Sequence, residues 1–490
     1  MPPNFDGIDR AAINGKLPRP ERTVQVLIIG AGPAGTAAAI SEAKSGAEVL
    51  LVDENPVSAS LMGLDTPLYF GGRMTTAVQR QEHMIEQIFA SNPALEEALD
   101  LGVEVALATY AWGVFVNGSG LAAMPQPVVG LANEERAWLV GFDKLILATG
   151  ARDIPLAFPG WDQPGVMGAG GFAALVERYD AFAGRRIVVL GSGELGLKTV
   201  SLARAKGLEV VAIVEALPQA QAVVGSDLAD IPLLTGQVIH SAHSGLNGVE
   251  RISVGPVGGP TTDLACDTVV MSIGMAPAIE LLNAAGGALT LDSQRGGHVP
   301  LLTGEGATTL PNVFVTGDCG GLGTPQDSQS YQMAWMRALL GVGDEQVIVC
   351  QCEEVTRADL LGVQPPNYLQ RPEKLAGRDV HTLLADGPIN QDQIKRLTRA
   401  CMGACQARRC REQVALTLAC ATQSAPIPLA GFRAPVRPLP LKVLADWDEA
   451  AAMTAGWDVW FGIPSQWVPY VDIGTEREAA QMVTFSEDPA

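Results

Sequence analysis

The stretch Val24-Gln25-Val26-Leu27-Ile28-Ile29-Gly30-Ala31-Gly32-Pro33-Ala34-Gly35 decides the fold. Its first half is a short apolar, β-branched run, the pattern of a strand buried on both faces. Its second half spaces glycines as G-x-G-x-x-G. Gly30 permits a tight turn, Gly32 lets backbone approach a phosphate, and Gly35 lets a helix pack against the strand. An Ala-rich stretch to about Ser45 predicts that helix. Ala47-Glu48-Val49-Leu50-Leu51-Val52 predicts a second buried strand ending at Asp53 and Glu54. A carboxylate there can accept hydrogen bonds from a ribose diol. The helix N-terminus, with Pro33 and Ala34 in its first turn, faces the pyrophosphate with partial positive charge.

The unit recurs as a weak internal repeat. Arg186-Ile187-Val188-Val189-Leu190 leads into Gly191-Ser192-Gly193-Glu194-Leu195-Gly196, a helix, and a strand Glu209 to Val214 closed by Glu215. Gly191, Gly193, Gly196 and Glu215 are the candidate site residues. An acid at 215, with no Arg or Lys from Ala216 to Val224, favours NAD(H) over NADP(H). A duplicated unit can also keep its turn for packing after losing its ligand, and both readings stand. Further strand-and-glycine punctuation follows at Leu145-Ile146-Leu147-Ala148-Thr149-Gly150, at Thr268 to Gly274, and at Val313-Phe314-Val315-Thr316-Gly317-Asp318. Alternating buried strands and helices predict an α/β chain with doubly wound parallel sheets.

At 490 residues the chain has room for two or three cored domains. Its 47% hydrophobic and 18% charged residues fit a globular protein, and no apolar run is long enough to span a bilayer. Met1 to Pro20 lacks the apolar core of a secretion signal, so a cytoplasmic location is expected. Lys plus Arg number 33 against 53 Asp plus Glu, a net charge of −20, which argues against nucleic acid as partner. The five histidines form no recognisable triad or metal spacing. His240 and His243 at i, i+3 are weak grounds for a metal site.

Six of the eight cysteines lie from Cys350 to Cys420; only Cys266 and Cys319 precede them. Cys350-Gln351-Cys352, then Cys401, Cys405 and Cys410, suit a four-thiolate site for zinc or an iron–sulfur cluster. No Cys-x-x-Cys or Cys-x-x-x-x-Cys precedes residue 350, so thiol–disulfide chemistry at the first unit is not expected. Cys319 reads as a small buried residue. Pro426 to Pro440 is proline-rich and predicts an extended segment over a surface. Trp447, Trp457, Trp460 and Trp467 crowd the tail, where they cover a partner or pack on their own domain.

Ala148-Thr149-Gly150 and Thr316-Gly317-Asp318, with the first glycine unit, resemble landmarks of the two-dinucleotide flavoproteins typified by glutathione and thioredoxin reductases. The resemblance covers roughly residues 23 to 340 and implies FAD at the first site. It places Thr149, Gly150, Gly317 and Asp318 along the FAD, and Gly71-Gly72-Arg73 in the loop after the second strand. Cys350-Gln351-Cys352-Glu353-Glu354-Val355-Thr356 is similar to the opening of bacterioferritin-associated-ferredoxin-like [2Fe-2S] domains. Gly403-Ala404-Cys405-Gln406-Ala407-Arg408-Arg409-Cys410 resembles their close in α subunits of amino-acid and opine dehydrogenases. That family includes the B subunit of hydrogen cyanide synthase and relatives of the sarcosine oxidase α subunit. The Arg433 to Leu441 stretch also resembles that family.

By that match the ligands are Cys350, Cys352, Cys405 and Cys410, with Cys401 an extra candidate. Two departures stand out. Ala407 occupies a usual Gly, and an insertion lies around Gln364 to Ala385.

The expected architecture is α/β, with two Rossmann-like, glutathione-reductase-like dinucleotide domains and a small, mainly helical C-terminal [2Fe-2S] domain. The expected boundaries are an N-terminal extension 1–23, an FAD domain 24–155 and 289–343, a second dinucleotide domain 156–288, a Cys-rich domain 346–422, and a Pro/Trp-rich tail 423–490. The resemblance implies one subunit of a hetero-oligomeric dehydrogenase for a secondary amine or amino acid of the opine, proline, hydroxyproline, sarcosine or glycine type. A D-amino-acid-oxidase-like β subunit oxidises the substrate. An interfacial FMN and a small ferredoxin-like subunit occur in some assemblies. Such complexes can sit peripherally at the inner membrane through their electron acceptor. No catalytic residue is assigned in this chain. A stand-alone NADH-dependent flavin reductase and a non-catalytic cofactor scaffold are the rival readings.

Overall fold

The computed structural model describes residues 19–57, 73–117, 124–222, 225, 230–323, 329–371, 373–424, 427–447, 451 and 476–477. Gly71, Gly72, Trp457, Trp460 and Trp467 lie outside these residues. β1 (Arg22–Ile29) runs through the first glycine turn into helix α1 (Pro33–Lys44) and then β2 (Val49–Val52). Pro33 opens α1, where its missing N–H costs nothing because that donor has no intrahelical acceptor. β3 (Glu104–Ala106), β4 (Tyr110–Phe115), β5 (Val128–Ala132) and β6 (Ala137–Leu147) complete the first sheet, in spatial order β3-β2-β1-β6-β5-β4.

β3, β2, β1 and β6 run parallel; β5 pairs antiparallel with β6, and β4 antiparallel with β5. The long β6 is shared on its far edge. Ala137 to Gly141 pair with β5, while Leu145, Ile146 and Leu147 pair with the late strand Val313–Val315. Alternate β1 side chains feed two cores. Leu27 and Ile29 join Leu145, Leu147 and Trp335, whereas Val26 and Ile28 join Ile146, Met84 and Phe172. This two-sided burial, worth about 1.5–3 kcal/mol per aliphatic side chain, is why the strand reads as a continuous apolar run.

β7 (Ala151–Asp153) carries the chain out of the first unit and pairs antiparallel with the returning segment Met275–Pro277. Between them come β8 (Val166–Gly168), β9 (Arg186–Leu190), helix α2 (Glu194–Ala205), β10 (Glu209–Glu215) and β11 (Leu233–Thr235). A three-stranded antiparallel sheet of β12 (Val238–Gly245), β13 (Gly248–Gly255) and β14 (Thr262–Ala265) follows, then β15 (Thr268–Met271). The second sheet is wholly parallel in the order β11-β10-β9-β15-β8. His243 is tied to Ser241 and Ser253 on β12 and β13, and His240 to the Gly255 carbonyl.

Helix α3 (Gln329–Val342) leads into the cysteine-rich region. That region opens on a short hairpin, Ile348–Cys350 with Val355–Thr356, and is otherwise helical, ending in α4 (Arg411–Thr422). The insertion folds as a 3-10 turn, Glu373–Leu375, and a helix Val380–Asp386 with a reciprocal Asp379–Thr382 cap. Trp161 Nε1 donates to the Ile348 carbonyl, and Gln413 bridges the Ala157 N–H and the Val349 carbonyl. The region is thus seated on the first turns after β7.

The proline-rich segment does more than run over a surface. Between 427 and 440 it has no helix or strand, yet it buries Val436 and Arg437. Val436 N–H donates to the Trp112 carbonyl of β4. Trp447 meets Trp112 edge-on, at 6.2 Å between ring centres.

At the crossing between units, Asp153 accepts hydrogen bonds from the N–H groups of Gly170 and Gly171. Burial nevertheless pushes its carboxyl up to about 6. A raised folded value means that its contribution is fully present below the unfolded carboxyl range and is lost as pH rises through about 6. Asp153→Asn is therefore expected to gain stability relative to wild type between pH 4 and 7, by at most about 3 kcal/mol. Thermal unfolding midpoints of both proteins across that range check this; parallel curves would refute it.

Candidate functional site

The first glycine turn is built from backbone contacts. Gly30 has φ +110°, and its N–H donates to the Val52 carbonyl. A Cβ on Gly30 would lie 2.2 Å from the Ala148 oxygen, and one on Gly35 would lie 1.8 Å from the Gly30 oxygen. Above Gly32 there is open space. The first turn of α1 holds no acidic residue, so its free N–H groups suit an anion. Asp53 accepts from Ala31 N–H at 2.6 Å and from the Asn55 N–H and side-chain amide, each at 2.8 Å.

The later motifs close on the same turn. Thr149 Oγ1 donates to the Ala278 carbonyl, and the Gly150 carbonyl accepts from Ala278 N–H. Gly317 has φ +69°, and a Cβ there would lie 2.7 Å from the Ala34 methyl of α1. Asp318 follows, exposed, in a 3-10 turn beside the helix N-terminus. Gly30, Gly32, Pro33, Ala34, Gly35, Asp53, Thr149, Gly150, Gly317 and Asp318 are therefore neighbours.

Arg73 is directed elsewhere. Its guanidinium donates to the Asp267 and Val249 carbonyls of the second unit, so it staples the units and is not free for the first turn. Cys319 is 1% exposed, and its thiol donates to the Leu147 and Thr316 carbonyls.

Glu54 makes a contact that periodicity could not reveal. Arg437, in the proline-rich segment, reaches it at 2.6 Å. Burial pushes the Glu54 carboxyl up, but the charges of Arg437, Arg408 and Arg152 outweigh this and hold it below the usual range. Arg152, two residues after Gly150, is buried in an ion pair with Glu280. Burial and the nearby Arg408 push its guanidinium down to about 9. The only sequence signal for these residues is a basic side chain in an otherwise apolar or proline-rich stretch.

Five thiols gather in the cysteine-rich region. Cys410 Sγ lies 3.6 Å from both Cys350 Sγ and Cys401 Sγ, and Cys405 hydrogen-bonds Cys352. Cys350, Cys401, Cys405 and Cys410 are each 2% exposed or less. The hydrogen bond from Cys405, helped by Arg409, holds the Cys352 thiol down at about 6 despite partial burial.

A spacing of 3.6 Å is close to the ~3.8 Å edge of a tetrahedron with metal–sulfur bonds of about 2.3 Å. The donor set thus fits a soft metal or an iron–sulfur cluster. The thiols nevertheless touch as a trio and a pair: among the described residues, no group of three or more His, Cys, Asp or Glu is placed so that it could hold a metal ion. Cys401 stands as near to Cys410 as Cys350 does.

Backbone strain marks the same loop. Arg399, Cys401, Gln406 and Ala407 all have φ between +54° and +72°. Ala407, at +66°, keeps the left-handed conformation that favours glycine, so the alanine at this position carries a glycine-type backbone shape under strain. Arg399 bonds Glu353 at 2.5 Å, and Tyr368 donates to the same carboxylate at 2.9 Å. These contacts tie Glu353, next to Cys352, to Arg399 and to Tyr368 of the insertion. A Cβ on Gly403 would fall 2.3 Å from Cys352 Cβ. Gly403→Ala is expected to lower the thermal unfolding midpoint through about 1–3 kcal/mol of overpacking. An unchanged midpoint would mean the two loops are not in this contact.

The comparisons with known proteins agree with this geometry. The family model for pyridine nucleotide-disulphide oxidoreductases matches residues 24–338, more than half of the chain. The chain is 25% identical to the A-type chain of opine oxidase from Agrobacterium tumefaciens (strain Ach5), over 86% of this chain and 91% of that one. It is 32% identical to the alpha chain of sarcosine oxidase from Rhizobium meliloti (strain 1021), over 54% of this chain but only 25% of that longer one. The fold resembles L-proline dehydrogenase from P. horikoshii, with TM-score 0.59 and 20% identity, over 87% of this chain and 81% of that one. The family implies FAD binding and flavin-dependent oxidoreductase chemistry. No helix among the described residues is long and apolar enough to cross a membrane. The chain belongs to the pyridine nucleotide-disulphide oxidoreductase family.

Proposed function

We propose that the chain is the FAD- and [2Fe-2S]-bearing subunit of a hetero-oligomeric dehydrogenase that oxidises a secondary amine or amino acid. The observation that carries this reading is the gathering of five thiols in the region that follows α3. The kinship with the opine oxidase chain over most of both sequences supports the substrate class and the subunit role. FAD and a cluster, when bound, supply hydride and one-electron chemistry; the protein supplies position and tuning.

In this reading, Gly30, Gly32 and Gly35 admit the FAD pyrophosphate to the α1 N-terminus. Asp53 meets the ribose diol, and Thr149, Gly150, Gly317 and Asp318 line the rest. Glu54 and its arginines seal the site under the proline-rich strap. Cys350, Cys352, Cys405 and Cys410 hold the cluster, with Cys401 as a fifth thiol able to replace one of them. The hydrogen bonds of Cys319 to two carbonyls favour a packing role over a redox pair with the flavin. The partner is a D-amino-acid-oxidase-like β subunit that holds the substrate. An FMN at the interface and a small ferredoxin-like subunit belong to the fuller form of the assembly.

The purified chain is expected to show flavin bands together with broad iron–sulfur absorbance, and about two irons and two acid-labile sulfides per chain. Cys350→Ser/Cys352→Ser should lose the iron and keep the flavin. In the reconstituted complex it should lower turnover to an external acceptor at least tenfold. Zinc in place of iron, or full turnover by the double variant, would overturn the reading.

A further inference from the structure

The second glycine turn repeats the first in backbone and departs from it in surroundings. Gly191 N–H donates to the Val214 carbonyl, as Gly30 N–H does to Val52. A Cβ on Gly196 would lie 2.1 Å from the Gly191 oxygen, the same helix-on-strand approach. The acid at the end of β10 is used differently. Glu215 is fully buried. Its carboxylate accepts from Ser192 N–H at 3.0 Å, Ser192 O–H at 2.6 Å, Tyr331 O–H at 2.7 Å and Leu217 N–H at 2.9 Å.

Three of these donors crowd Oε2 and the fourth takes Oε1, and with the group fully buried no solvent-side approach to the carboxylate remains. Asp53 in the first unit has three donors and keeps partial solvent access.

Two further elements lie over the turn. The chain after Glu215 folds back, so that Gln221 N–H donates to Ser192 Oγ and Ala222 N–H to the Ser192 carbonyl, both at 3.0 Å. From the other side comes α3, the helix that follows the Gly317-Asp318 motif. Its Tyr331 hydroxyl would lie 3.2 Å from a Cβ on Gly191, and its Gln332 amide 2.5 Å from one on Gly274. The crevice outside the carboxyl ends of β9 and β15 is where an open parallel sheet takes its ligand. Here α3 fills it. The first turn of α2 also carries Glu194, whereas that of α1 carries no acid, so the second helix N-terminus already has a negative charge beside it.

We infer that the second unit is closed to dinucleotides by the chain itself. The Tyr331 hydroxyl takes the place at Glu215 that a ribose hydroxyl would take, and the chain draws no electrons from NADH or NADPH. Burial, and then the charge of Glu215, push the Tyr331 phenol far above its usual range, so it remains a donor at every working pH. The same hydrogen bond fastens the second unit to the helix that leaves the flavin site. Tyr331 is thus a positioning residue.

The test uses the full flavin-loaded chain under anaerobic conditions. No bleaching of the flavin is expected with excess NADH or NADPH, and no saturable binding of NAD+ or NADH up to millimolar concentration in equilibrium dialysis. Tyr331→Phe and Glu215→Gln should each lower the thermal unfolding midpoint, and the double variant should fall less than the two shifts added, since one contact serves both. Stoichiometric bleaching by NADH, or sub-millimolar binding that Glu215→Gln weakens tenfold or more, would overturn the closure. An unchanged midpoint in Tyr331→Phe would overturn the role of that residue. Iron and sulfide on the same samples report the cluster assignment separately, so failure of one does not pass for failure of the other.

Discussion

In both dinucleotide-type units, a carbonyl oxygen stands where the first carbon of a side chain would otherwise be. The Gly30 oxygen presses on Gly35, and the Gly191 oxygen presses on Gly196. This contact lets a helix start directly against the strand that feeds it, with its N–H groups aimed past the sheet edge. The rest is arranged around that geometry. β6 and Val313–Val315 bring Ala148 and Gly317 to the same corner, and the cysteine-rich region is seated on the turns just beyond. Where the corner is left open, as above Gly32, it can take an anion. Where Tyr331 and the 221–222 backbone fill it, the same turn is only a joint.

Buried charge is handled by pairing, not avoidance. Arg437 meets Glu54, Arg152 meets Glu280, and Arg357 is spread over the carbonyls of Gly343, Asp344 and Ala157. Each pair joins segments that are remote in sequence. Such pairs add little net stability once desolvation is counted, but breaking one leaves an uncompensated charge at high cost. They therefore fix which segments meet around the first turn more than how tightly they hold.

Much of the fold could be read from the residues because it rests on local rules. The two glycine turns, their flanking strands and the Thr-Gly and Gly-Asp punctuation follow from period and spacing. The gathering of the late cysteines was also expected from their placement. What escaped depends on distant partners. Glu215 looks like Asp53 in sequence, and only the arrival of Tyr331, more than a hundred residues later, changes what it does. Arg73 follows a glycine pair that suggested a flavin loop, yet two carbonyls of the second unit claim it. Arg437 sits in a proline-rich run that reads as solvent-exposed and is 1% exposed. Ala407 reads as a departure and proves to be a glycine-type backbone shape carried by a less suitable residue.

The strap that returns to β4 also bears on how the chain comes to be folded. Residues 22–155 supply six of the strands in the first sheet, but its corner is completed only by Val313–Val315 and covered only by Val436 and Arg437. During synthesis, the N-terminal sheet must wait with an unpaired edge at Leu145 to Leu147 until Val313–Val315 emerges, and longer still for its cover. Exposed strand edges of that kind are where nascent chains pair wrongly. The chain is thus one whose yield in a cell should depend on chaperone cover and translation speed more than its finished stability would suggest.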